Sequence, residues 1–184
     1  MKSLRPSARG AWVKTLPLDL ADPEHPKPGK PEPFLQMPAA EFFGIFSPNG
    51  RWMAYSSDES GQPEIYVRPF PGPGGKWQIS AGGGSVPVWS HNGRELFYAT
   101  LENRIMVTEY IAQGDSFTYT KPRLWSDKQI NSSGGNRFYD LHPDGKRFAI
   151  FPNLETADEK QGNLHATFLL NFADEVRRRV PEAK

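Results

Sequence analysis

The sequence predicts an all-β chain built from a repeated unit of short strands, and three observations predict it. Eighteen prolines and 17 glycines, about a fifth of the 184 residues, punctuate short segments along the whole length. Most of the five tryptophans, six tyrosines and twelve phenylalanines fall inside those segments, which is the composition of strands divided by turns. Three segments also superpose without gaps: Phe46 to Tyr55, Trp89 to Tyr98 and Leu141 to Ile150. Their glycines stand 43 and then 52 residues apart (50 to 93, 93 to 145).

Periods of 40 to 50 residues are those of propeller blades, at about one four-stranded sheet per repeat. Within each unit Asn49-Gly50, Asn92-Gly93 and Asp144-Gly145 are turn dipeptides whose residues accept the positive φ of a tight hairpin. The strand before each turn is short and apolar, and the strand after it carries Met53-Ala54-Tyr55, Leu96-Phe97-Tyr98 or Phe148-Ala149-Ile150. Apolar residues on both faces suit a sheet packed between two neighbours. Third strands follow at Glu64–Arg68, Arg104–Thr108 and His165–Leu170, and outer strands at Lys76–Ser80 and Arg123–Ser126. Ala81-Gly82-Gly83-Gly84-Ser85 lacks the helix and lysine that a phosphate loop needs, and reads as a tight crossover between blades.

At the N-terminus, Ala11 to Leu16 reads as a third strand and Glu32 to Gln36 as a fourth, with an exposed Pro-rich loop between them at Leu20–Lys30. The expected organisation is therefore a blade remnant over 1–41, complete blades over 42–80 and 81–126, and a last blade over 127–172 without its outer strand. A short helix and tail follow over 173–184, with acidic residues in the first turn and three arginines in the last. About three blades do not close a ring, since rings take about four to eight. The expectation is a partial β-propeller whose six-bladed ring is completed by a second chain in a homodimer, with a truncated fragment of a longer protein as the alternative.

The repeat residues, together with Ile65 to Gly72, Gly83 to Tyr98 and the ending Leu169 to Pro181, resemble the WD40-like, TolB-like (PD40-type) propeller family. They resemble in particular the propeller modules C-terminal to bacterial serine/threonine protein kinases. His91 departs from the pattern, which has proline there. The chain carries no kinase signature of its own. The resemblance implies a module of a bacterial signalling protein.

Composition excludes several chemistries. No cysteine is present, so disulfides, thiol catalysis and zinc–thiolate sites are out. A net charge of +1 gives no global reason to expect nucleic acid, and no stretch approaches the roughly 20 apolar residues of a membrane span. No signal peptide is legible, so the chain as written is expected in the cytoplasm, or outside it if it belongs to the sensor region of a receptor kinase. The four histidines show no metal-ligand spacing, and no cofactor is implied. No Gly-x-Ser-x-Gly elbow exists, and Ser90 and His91, as strand neighbours, should face opposite sides.

The expected function is a non-catalytic module for protein interaction or ligand sensing. An esterase- or peptidase-type hydrolase, with its site at the propeller mouth or the dimer interface, is the alternative. The loops Ser56–Pro63, Ala81–Val86, Thr100–Asn103, Asn131–Asn136 and Pro152–Asn163 should gather around one mouth of the channel. Asp58, Glu59, Ser85, Asn131, Asn136 and Arg137 are the candidate binding residues for a protein, peptide or small-molecule ligand. Asp58, Glu59, Asp140 and Asp144 are otherwise expected to be solvated and unpaired.

Overall fold

The structure, a computed structural model, describes residues 13–130 and 139–150. The chain divides into two compact units, Met1–Asn153 and Leu154–Lys184, and the second lies wholly outside the described residues. So do the expected strand His165–Leu170, the expected C-terminal helix, and Asn131, Asn136 and Arg137.

The described residues are all β, with fifteen strands. Strands β5 (Glu41–Phe46), β6 (Trp52–Ser57), β7 (Glu64–Pro69) and β8 (Trp77–Gln78) form one antiparallel four-stranded sheet in chain order, the first blade. The second blade runs β9 (Ser85–Trp89), β10 (Glu95–Ala99) and β11 (Arg104–Gln113), with β12 (Ser116–Tyr119) and β13 (Arg123–Gln129) both paired to β11. The third is represented by the hairpin β14 (Tyr139–Leu141) and β15 (Phe148–Ile150). Ahead of these, β1 (Val13–Thr15) pairs with β4 (Glu32–Leu35), and the intervening segment folds as a small exposed hairpin of β2 (Leu18–Asp19) and β3 (Lys27–Pro28).

The repeated turn is built the same way three times. Gly50, Gly93 and Gly145 donate their N–H to the carbonyls of Ser47, Ser90 and His142 at 2.8, 3.0 and 2.9 Å. The glycines take φ of +67°, +68° and +70°. Only the glycine is left-handed. Asn49, Asn92 and Asp144 act instead through their side chains, whose Oδ1 accepts the N–H two residues on at 3.0, 2.9 and 2.8 Å. Ser47 and Ser90 close the hairpin with their hydroxyls, which accept the N–H of Trp52 and Glu95.

A second device also repeats. Phe43 and Val86 occupy equivalent positions in β5 and β9, and both take positive φ, +54° and +51°. A register irregularity falls there in each strand. This bulge bends each inner strand close to its first residues, and a left-handed β-branched Val86 costs of order 1–3 kcal/mol that the surrounding packing must offset.

Packing divides by blade face. Trp52, Ala54, Ile65 and Val67 of the first blade meet Trp89, Leu96, Tyr98, Tyr110 and Phe117 of the second. The other face of the second blade, with Val88, Phe97, Ile105 and Val107, meets Tyr139, Leu141 and Phe148. The outward face of the first blade, Tyr55 and Tyr66, is covered by Leu35, Val13 and Phe34 of the β1/β4 pair. Each of the two complete blades is thus apolar on both sides because each is sandwiched.

β11 is longer than the expected Arg104–Thr108. It runs on to Gln113, and β12 and β13 return along it as one strand broken at Lys121–Pro122. The extension carries Phe117 into a nest of Trp52, Trp77, Trp89 and Tyr110, with ring centroids 5.2 to 6.3 Å away. Tyr119 donates its hydroxyl to the Gln78 carbonyl at 2.6 Å. The outer hairpin of one blade therefore clasps its neighbour.

Candidate functional site

The rim opposite the Asn-Gly turns is formed by the β6–β7 turn, the β8–β9 crossover and the β10–β11 turn. The first two are hydrogen-bonded to each other, and the third packs on the crossover. Gly84 donates its N–H to the Pro63 carbonyl at 2.8 Å, and its own carbonyl accepts the Ser56 hydroxyl at 3.0 Å. A Cβ on Gly83 would lie 2.4 Å from Leu101, so the β10–β11 turn rests on the crossover. Ile130, at the end of the second blade, donates to the Asn103 carbonyl at 2.9 Å.

The anchor of this rim is Glu64, a residue 2 % exposed. Its Oε1 accepts the N–H groups of Gly82 and Gly83 at 2.9 and 2.8 Å and the Gln62 amide at 2.8 Å. Its Oε2 accepts the Ser80 hydroxyl, and Ser80 Oγ in turn accepts the Ile65 N–H at 2.8 Å. Burial alone would raise the Glu64 pKa, but the bonds from Ser80, Gln62, Gly83 and Gly82 outweigh it and hold the carboxyl below its ordinary value. The glycine run is thus a nest for the protein's own carboxylate, and φ of +95° and +104° at Gly82 and Gly83 turns their N–H groups toward it.

Asp58, Glu59 and Ser85 lie on these adjoining segments. Asp58 accepts the Ala40 N–H at 2.8 Å, tying the β6–β7 turn to the chain just ahead of β5. Glu59 is ion-paired with Lys76, whose ammonium stands 5.1 Å from the Tyr66 ring centroid. Ser85 begins β9, opposite Ala99 and immediately before the left-handed Val86. The expectation of unpaired carboxylates is corrected here: Asp58 and Glu59 are bonded, and Asp144 is paired with Arg147 at 2.7 Å. Each finds its partner within its own blade, so no pairing across blades is needed.

A further acidic group stands beside them that the sequence did not single out. Glu41, first residue of β5, lies opposite Ser57 and is 3 % exposed, and neither carboxylate oxygen has a hydrogen-bond partner. Burial, then the charges of Asp58 and Glu59, raise its pKa to about 7 against the smaller opposing effect of Arg68. Nothing in the run Glu41-Phe42-Phe43 marks this residue as buried, because its position depends on the β5–β6 register.

Other candidates resolve into local structure. Ser90 is fully buried, and its hydroxyl bonds Asn92 at 2.6 Å and the Glu95 backbone, which commits it to the turn. Among the described residues no group of three His, Cys, Asp or Glu is placed to hold a metal ion, and no helix is long and apolar enough to cross a membrane. A concavity of about 630 Å3 lies at the far end of the second blade, lined by Arg94, Glu95, Glu109, Tyr110 and Ile111 among others. It follows the extended hairpin and is separate from the rim.

Among solved structures, the chain is similar to a β-propeller chain in the crystal structure of the nidogen/laminin complex. The TM-score is 0.50 at 19% identity, over 78% of this chain and 59% of that one. It also aligns with TolB from Acinetobacter baumannii at 17% identity and a TM-score of 0.36, covering 66% of this chain and 40% of that one. The chain thus spans less than two thirds of either structure. No family model and no curated protein matches it. At this identity the likeness is one of fold, and the fold is an all-β, partial β-propeller.

Proposed function

We propose that this chain is a propeller module that binds a protein or peptide at the rim formed by the β6–β7, β8–β9 and β10–β11 connections. One observation carries the reading: the β6–β7 turn is bonded to the crossover that leads into the second blade, and the β10–β11 turn packs on that crossover, so that Asp58, Glu59 and Ser85 stand on adjoining segments of one ledge. Recognition concentrates on loops held by such scaffolds. Asn131, Asn136 and Arg137, candidates for the same role by sequence, lie outside the described residues. The resemblance to kinase-associated propellers supports a place in a bacterial signalling protein. Exposed Phe42, Phe46, Leu124 and Trp125 support association of the partial ring with a second copy.

The test is selection from a random peptide library on the full chain, followed by titration of the selected peptides. Saturable binding that weakens about tenfold or more in Glu59→Lys or Ser85→Trp supports the rim, as expected for loss of a central interface contact. Selected peptides whose affinity ignores both substitutions would overturn it.

A further inference from the structure

We infer that Glu41 is a proton-operated latch on this rim, closed when its carboxyl is protonated and loosened when it ionises. This rests on the proposed rim site and concerns its regulation.

The geometry singles out one place. Four buried side-chain atoms among the described residues lack any hydrogen-bond partner: both carboxylate oxygens of Glu41, the Tyr55 hydroxyl and Arg68 Nε. All belong to one face of the first blade. Glu41 lies opposite Ser57, Tyr55 opposite Tyr66, and Arg68 opposite Met53, and residues 53, 55 and 57 of β6 share a face. Buried polar groups are otherwise almost always paired, so three together call for a functional account.

The groups facing Glu41 decide the sign. From the β6–β7 turn come Asp58 and Glu59, both of which oppose its ionisation. From β7 comes Arg68, which favours ionisation but whose Nε makes no bond to it. From β6 comes the neutral Tyr55 hydroxyl, itself held protonated by burial. Lys14 and Glu32 of the β1/β4 pair are exposed, and Lys76 is engaged with Glu59. A neutral Glu41 fits this site. An ionised one is a desolvated charge beside two like charges, which raises its pKa to about 7.

The contact under load is the one that ties the β6–β7 turn to the chain ahead of β5. Ala40, the neighbour of Glu41, donates its N–H to Asp58 Oδ1 at 2.8 Å and accepts the Asp58 N–H at 3.4 Å. Ionised Glu41 repels the carboxylate that makes this clasp. Releasing the clasp admits water to Glu41 and frees the β6–β7 turn that carries Asp58 and Glu59. Proton binding at one buried carboxyl is thereby coupled to the order of a recognition loop.

The test uses the full chain without any ligand, so its failure is distinct from failure of the binding reading. The Glu41 carboxyl carbon is followed by NMR between pH 5 and pH 9, with protection factors for the Ala40 and Asp58 amides corrected for intrinsic base catalysis. The expected result is a Glu41 midpoint near 7 and a fall of about tenfold or more in both protection factors across it, a tenfold change being one pKa unit of coupling. In Glu41→Gln, which keeps the neutral shape, both factors should stay high throughout. A Glu41 midpoint near the ordinary glutamate value, or protection that ignores the titration, overturns the latch, and the wild-type measurement decides this even if the variant folds poorly.

Discussion

Glu64 accepts the backbone N–H of Gly83 at 2.8 Å, and so the third strand of one blade grips the crossover that leads into the next. A single carboxylate here satisfies four donors at once: the N–H groups of Gly82 and Gly83, the Gln62 amide and the Ser80 hydroxyl.

Glu64→Ala should therefore destabilise the fold by about 3 kcal/mol, because it strands buried donors as well as removing bonds to a charge. The Glu64 pKa is lowered by folding, so its contribution is present above the unfolded value near 4.5 and is lost as pH falls through the folded one. Urea unfolding at pH 7 and at pH 3 checks both points: the difference between wild type and Glu64→Ala should shrink at the lower pH.

Phe117 sits 3 % exposed among four aromatic rings from two blades. Phe117→Ala should cost about 3–5 kcal/mol, the usual range for emptying such a site. Tyr119→Phe removes one bond to the Gln78 carbonyl and should cost only about 1 kcal/mol. Denaturation midpoints of the two variants decide whether the outer hairpin clasps the blades or merely lies on them.

Gly84 offers a steric test of the crossover. An added Cβ would meet Ser80 Oγ at 2.5 Å and Ile65 Cγ1 at 2.9 Å, so Gly84→Ala should destabilise by about 1–3 kcal/mol through overpacking. Gly50→Ala meets nothing within 4 Å but sits at φ +67°, and should cost about 1 kcal/mol through the backbone alone. Thermal unfolding of both variants separates the two causes.

If Ser90 serves the turn, Ser90→Ala should lower stability by about 1–2 kcal/mol, because the Glu95 N–H loses its acceptor. Any ester or peptide hydrolysis by the full chain should be unchanged by it. A hydrolytic activity abolished by Ser90→Ala in a folded protein would instead revive the hydrolase alternative.

The partial ring exposes Phe42, Phe46, Leu124 and Trp125. Light scattering after size exclusion should then show a species of twice the 20.7 kDa chain mass at micromolar concentration. A monomer across the whole concentration range would exclude ring completion by a second copy.

The repeat was legible because its turn is local chemistry. Ser47-Pro48-Asn49-Gly50 carries its own acceptors, its own left-handed residue and its own closing bond within six residues, and Ser90-His91-Asn92-Gly93 repeats the pattern. At the third turn His142 stands in place of serine, and its ring nitrogen lies 3.2 Å from the Asp144 N–H. The Gly82–Gly84 run announced a tight connection, though not the carboxylate it enfolds. The hairpin extension left a trace in Gly114-Asp115 followed by the alternating Ser116-Phe117-Thr118-Tyr119, a turn and strand signal that a four-strand template passes over.

By itself, then, the sequence determined the strand-turn grammar and the propeller-type fold, since both rest on residues at most a few positions apart. Only the tertiary structure decided that Glu64 anchors the crossover, that Phe117 crosses to the neighbouring blade, and that Glu41 is buried beside Asp58. Each of these joins residues 17 to 65 positions apart, and burial and charge at such sites are set by which strands pack together, which no local pattern encodes.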